Sequence, residues 1–257
     1  MGFVSYDAPQ WLTRSFVRAA RGAGATSTDD TIEEVAGHLI DRWNGPERHF
    51  HNLKHLVMVL HRVDELAQET HEPDLVRLAA WYHGAVFSPE RRVARVLGAR
   101  PSSTAEGKVS EGGEQSSKSA SLARAELMSI GVPETKAVRV ASLVEGMLRH
   151  APDPKDVDSQ VLNDADLGML SLEPQLYKTY ALGVRAEYKH ISPADYLQTR
   201  ITILEKLLAR PHLYWSPVSA SWEAAARQNI EAELAKLKAE QATMTRGKGL
   251  SARIGAV

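Results

Sequence analysis

Cysteine is absent from the 257 residues. Disulfides, cysteine-ligated zinc and thiol nucleophiles are excluded together, which leaves histidine, aspartate and glutamate as the strong metal ligands. An excess of charge of either sign is missing too: 31 Lys and Arg stand against 32 Asp and Glu, a formal net charge of -1 with the ten histidines neutral. So balanced a chain has no global field to draw nucleic acid or an anionic membrane, and partners have to be argued from local sites. No apolar run approaches the roughly 18 residues that span a bilayer, and the opening "MGFVSYDAPQWL" has no basic stretch followed by an apolar core. A cytoplasmic protein without membrane attachment is the expectation. Also lacking is any stretch of alternating apolar and polar residues bounded by turn signals, the pattern of a half-buried strand.

What is present is helical spacing. In "TIEEVAGHLIDRW", Ile32, Val35, Leu39, Ile40 and Trp43 recur at the period of one helix face, with Thr31 and Glu34 spaced as a capping box. "NLKHLVMVLHRVDELAQE" opens on Asn52 as an N-cap, "PDLVRLAAWYH" on Pro73, and helical periodicity runs from Val138 to His150. A long helix is expected over about Ser221 to Gln241. The spacing predicts an all-α fold, a single helical bundle over 1–245 with a frayed tail at 246–257. A Gly-, Ser- and charge-rich stretch, "RVLGARPSSTAEGKVSEGGEQSSKS" at 95–119, reads as a long flexible insertion, either functional or without fixed structure. Its "EGKVS" is no phosphate loop, because Ser102 stands where the spacing requires glycine.

Three places concentrate metal-ligating side chains. "RHFHNLKH" holds His49, His51 and His55, with His51 and His55 one turn apart if one helix covers both; a histidine-rich surface turn is the plain alternative. His83 closes the helix of "AAWYHGAVFSP" at the margin of the face formed by Leu75, Leu78, Ala79 and Tyr82, either as a hydrogen-bonded core histidine or as a ligand. "VLNDADLGML" carries two carboxylates. At about 100° per residue, Asp166 falls beside the apolar face of Val161, Leu162, Ala165 and Met169 while Asp164 points away and suits a cap. An ionised carboxylate on a buried face is costly unless paired or metal-bound, so Asp166 asks for a partner. Together the three segments can converge on one cation in a helical core, of the kind that suits Mn²⁺, Fe²⁺, Zn²⁺ or Mg²⁺.

At these residues the chain resembles the metal-dependent phosphohydrolases of the HD superfamily, in a bacterial subgroup of helical proteins. The segments "HNLKH", "AAWYHGAVFSP", "LNDADLGML", "YKTYALGVRAEYKHIS" and "LLARPHLYWSP" match in order, from about Trp43 to Leu234 without the insertion. The resemblance implies that His55, His83 and Asp166 are metal ligands and that water is activated for attack on a phosphate ester, with His83, Glu114 and Asp166 in the catalytic set. Glu114 falls at a family glutamate position in "GGEQSSKSASLA", either near the site or as a solvated loop charge. The substrate expected by analogy is a small phosphorylated molecule, a nucleotide being the natural guess. His51, Arg149, His150, Arg185 and Lys189, together with Arg91 and Arg92, are candidates to meet it, although each basic residue also suits a surface charge or a structural ion pair. Two positions depart from the family pattern. Gly84 stands where the aspartate of the His-Asp pair belongs, and Met147 where relatives carry threonine. Losing an anionic ligand disfavours hard Mg²⁺. Two functional readings follow: a phosphoric ester hydrolase with a reduced ligand set, or an inactive relative that keeps the pocket and binds a nucleotide or a protein partner.

Overall fold

Ten α-helices, three short 3-10 helices and no strand make up the regular structure of the described residues, 10–87, 118–147, 150 and 152–254, in the computed structural model. The all-α expectation holds, and among the described residues no helix is long and apolar enough to cross a membrane. Most of the predicted insertion lies outside the described residues, as do Glu114, Arg91, Arg92 and Arg149. Lys118 and Ser119, which the sequence placed in that insertion, already belong to a helix.

Chain contacts divide the molecule into two compact units. The first, over 10–87, 118–166 and 215–218, holds α1 (Gln10–Gly22), α2 (Asp29–Trp43), α3 (Leu53–Glu65), α4 (Pro73–Tyr82), α5 (Lys118–Ser129), α6 (Glu134–Gly146) and α7 (Val157–Leu167) up to Asp166. α4 packs against α1, α3, α5 and α6. Leu75, Val76, Leu78, Ala79, Ala80, Trp81 and Tyr82 are therefore all buried. Only Pro73, Asp74 and Arg77 keep part of their surface, and Arg77 forms ion pairs with Asp64 and Asp74. Phe16 meets Trp81 edge-on at 5.2 Å, and Trp43 donates its indole N–H to the carbonyl of Trp81 at 2.9 Å. Burial of residues such as Phe16, Leu39 and Leu56, all without exposed surface, stabilises by about 1.5–3 kcal/mol each.

Local chemistry sets most helix ends. Asn52 caps α3 as predicted, accepting from the backbone N–H of Lys54 and His55, and Pro73 opens α4. α2 differs: Thr28 is its cap, accepting from the N–H of Thr31, and the Thr31–Glu34 box is not used because the helix already starts at Asp29. The helix predicted to reach His150 stops at Gly146.

The second unit, over 167–214 and 219 onward, holds α8 (Pro174–Glu187), α9 (Pro193–Leu208) and α10 (Glu223–Ile254). Leu197, Leu204, Leu213, Ala226 and Ile230 form its core. Beside them Arg200 donates to both carboxylate oxygens of Glu233, at 2.8 and 2.9 Å, and Tyr177 donates to the same carboxylate at 2.6 Å. α10 runs on to Ile254, past the 245/246 boundary drawn from the sequence.

Candidate metal centre

Three segments of the first unit meet at one point. His55 lies in the first turn of α3, whose start is fixed by the Asn52 cap. His83 follows the last residue of α4, its N–H still bonded to the carbonyl of Ala79. Asp166 sits one residue from the end of α7. His55 Nε2 is 3.2 Å from His83 Nε2 and 3.1 Å from Asp166 Oδ1, and His83 Nε2 is 3.5 Å from the same oxygen. Donor atoms bound to one cation at about 2.1 Å stand about 3.0 Å apart in an octahedron and 3.4 Å in a tetrahedron. The three observed separations fall close to those values, so the triangle has the spacing that one face of a coordination polyhedron requires.

The orientation of His83 is settled by its other nitrogen. Nδ1 lies 2.6 Å from the carbonyl of Ala80. A carbonyl only accepts, so Nδ1 carries the proton, and in the neutral ring Nε2 presents its lone pair to the cluster. Backbone support of this kind is how metal-binding histidines are held. Burial opposes ionisation of Asp166, but the imidazoles of His55 and His83 beside it outweigh that cost and hold the carboxyl well below the usual carboxylate range. Two imidazoles and a carboxylate, each offering one donor atom to a common centre, fit a divalent transition metal.

His150 borders the cluster, with Nδ1 3.6 Å from Asp166 Oδ2. Among the described residues it is the one non-glycine with positive φ, at 45°. A left-handed backbone costs a non-glycine residue about 1–3 kcal/mol and tends to be retained where function needs the side chain placed. His51 precedes α3, so it does not share a helix with His55 as the spacing had suggested; its ring centroid is 5.4 Å from that of His55 and 5.4 Å from that of Phe87. His49 is exposed and contributes only its carbonyl, to Asn52. The predicted three-histidine cluster thus resolves into one buried candidate ligand, one neighbour and one surface residue. Arg185 and Lys189 belong to the second unit, where Arg185 pairs with both oxygens of Glu240 and Lys189 is exposed.

The wheel placed Asp166 correctly and Asp164 wrongly. Asp164 has no exposed surface, and its Oδ2 accepts from the backbone N–H groups of Trp215 and Ser216, at 2.8 Å each. It is no helix cap but the anchor of a distant loop, which a helical wheel cannot represent.

Sequence reasoning also missed Trp43 and Arg48. The Trp43 ring lies 5.2 Å from the His83 ring and 6.0 Å from the His55 ring. Arg48 is nearly buried, its guanidinium 5.1 Å from the Trp43 ring and 5.0 Å from the Phe87 ring, and it donates to the carbonyls of His51 and Ala85. It thereby ties the segment before His55 to the segment after His83. A buried arginine between aromatic faces leaves no periodic trace in a sequence.

No protein-family model and no curated protein matches the chain. Among solved structures, the chain is similar to the phosphodiesterase domain of Salpingoeca rosetta rhodopsin phosphodiesterase, at a TM-score of 0.47 and 15% identity, over 95% of this chain and 92% of that one.

Proposed function

We propose that the chain is a metal-dependent phosphoric ester hydrolase in which His55, His83 and Asp166 hold one divalent cation, with a small phosphorylated molecule, a nucleotide by analogy, as substrate. The observation that carries the reading is the triangle of donor atoms at 3.1, 3.2 and 3.5 Å, contributed by three separate helix ends. Two nitrogens and one carboxylate oxygen favour Zn²⁺, Fe²⁺ or Mn²⁺ over Mg²⁺, which prefers oxygen donors in an octahedral shell. When bound, such a cation supplies Lewis acidity toward a phosphoryl oxygen and lowers the pKa of water.

The chain's own residues take the remaining roles. The Ala80 carbonyl keeps the His83 proton on Nδ1, so this ring offers a lone pair rather than an N–H. Asp166 stays ionised and supplies the site's negative charge. His150, beside Asp166 Oδ2, is placed to move a proton at its ring nitrogen. His51, on the flank formed with Phe87, is placed to meet substrate.

The test is metal content by mass spectrometry on protein purified without chelator or affinity tag, followed by release of nitrophenol from mono- and bis(p-nitrophenyl) phosphate. Stoichiometric metal and turnover, both lost in folded His83→Ala and Asp166→Ala, support the hydrolase. Turnover unchanged in those variants overturns it. The reduced donor set favours a second reading, an inactive binder of phosphorylated molecules, for which thermal stabilisation by nucleotide without product is the signature.

A further inference from the structure

The environment of Gly84 bears on why position 84 adds no donor to the three found among the described residues. Gly84 follows His83 directly, so a side chain there would start beside the ligand cluster. A Cβ built on it would fall within the van der Waals envelope of the Trp43 ring, nearest Cη2, with Cζ3 at 3.0 Å and Cζ2 at 3.2 Å. The six-membered ring of Trp43 occupies the space any side chain at 84 needs.

That ring cannot readily step aside. Trp43 ends α2 and is fully buried. Its N–H is held by the carbonyl of Trp81 at 2.9 Å, which fixes the ring's rotation. The Arg48 guanidinium lies over the ring at 5.1 Å and is itself anchored to the carbonyls of His51 and Ala85 at 2.8 and 3.1 Å. A cation over an indole and two charge-assisted bonds to carbonyls lock the plane from one side.

We propose that Trp43 is the positioning residue that closes position 84 to a further protein ligand, and that Gly84 is size-matched to it. The inference rests on the metal-site reading and deepens it: Trp43 determines cation choice by closing the position from which a second carboxylate would reach the cluster. Restoring a carboxylate at 84 then does not restore a fourth ligand unless the indole is also reduced. Mg²⁺ is refused through the shape of the wall as well as through the loss of an anion.

The experiment uses the parent chain, Gly84→Ala, Gly84→Asp, Trp43→Leu and the two double variants Trp43→Leu/Gly84→Ala and Trp43→Leu/Gly84→Asp. Melting temperatures are read in chelator, where cation binding plays no part, and dissociation constants for Zn²⁺, Mn²⁺ and Mg²⁺ are read by calorimetry. Gly84→Ala is expected to lower the melting temperature by several degrees, and Trp43→Leu/Gly84→Ala to melt no lower than Trp43→Leu alone. Gly84→Asp is expected to bind Mn²⁺ and Mg²⁺ no more tightly than the parent, whereas Trp43→Leu/Gly84→Asp binds both at least tenfold more tightly than Trp43→Leu. An unchanged melting temperature in Gly84→Ala, or tighter Mn²⁺ binding in Gly84→Asp with Trp43 in place, overturns the inference while leaving the three-ligand site standing. Failure of the parent and every variant to bind any of the three cations overturns the site and the ligand-number claim together. The Gly84→Ala comparison remains decisive for the steric pairing if the aspartate variants do not fold.

Discussion

Asp164 and Asp166 stand two residues apart on α7 and serve different ends of the same unit. Asp166 turns its carboxylate to His55 Nε2 and His83 Nε2, while Asp164 receives the backbone N–H groups of Trp215 and Ser216 on one oxygen. One carboxylate is satisfied by groups that can exchange a proton for a cation, the other by amides that cannot.

Substitution should separate them. Asp164→Ala leaves two N–H groups without their charged acceptor and is expected to cost about 3–6 kcal/mol, since hydrogen bonds to charged groups contribute about 1.5–3 kcal/mol each. Asp166→Ala is expected to abolish the stabilisation that added metal gives, which Asp164→Ala keeps. Urea unfolding with and without chelator distinguishes the pair; an equal metal-dependent gain in both variants would contradict it.

Added metal should stabilise the fold in proportion to its affinity. At a free Zn²⁺ concentration about 100 times the dissociation constant, the gain is about 2.7 kcal/mol. His55→Ala and His83→Ala are expected to lose that gain. A melting series against Zn²⁺ reads it directly, and an equal rise in the two variants would place the cation elsewhere.

Acid should weaken the fold partly through Asp156. The hydrogen bond from Arg139 pulls its pKa down, burial opposes this, and the N–H of Ser159 adds to the lowering. A carboxyl with a depressed folded value contributes stability that is fully present above its unfolded value, about pH 4, and is lost as pH falls through the folded one. The stability difference between the parent and Asp156→Asn should therefore be largest above about pH 4 and shrink below it. Urea midpoints from pH 7 to pH 3 give the measurement, and a constant difference would exclude the linkage.

In the second unit the Arg200–Glu233 pair is almost buried, with 8% and 9% of the side chains exposed. Breaking one side leaves an uncompensated charge, so Glu233→Leu is expected to cost about 3–5 kcal/mol, whereas Arg200→Met/Glu233→Leu recovers most of it. Chemical denaturation of the three proteins tests this, and a double variant no better than the single would show that the tyrosines, not the pair, carry the cost.

Much of this was legible in the order of residues. Apolar spacing placed most of the helices, Asn52 and Pro73 marked two starts correctly, and the wheel turned Asp166 inward. Helix periodicity and capping act over three or four residues, so the chain carries their signal locally. The cap at Thr28 displaced the Thr31–Glu34 box because two threonine signals lie three residues apart and only the geometry chooses between them.

His55, His83 and Asp166 were named by resemblance and by burial cost, but their approach to within 3.5 Å of one another is a property of packed helices. The same holds for Asp164 and the loop at Trp215, 51 residues away, and for Trp43 against Trp81, 38 residues away. The sequence by itself determined the all-helical architecture and the chemical kinds of ligand on offer, because both depend on local spacing and side-chain identity. Tertiary structure alone decided which aspartate meets the histidines, which one anchors a loop, and that the space beside Gly84 belongs to an indole. Those outcomes depend on which distant surfaces exclude water and volume together, and no short window of sequence contains that information.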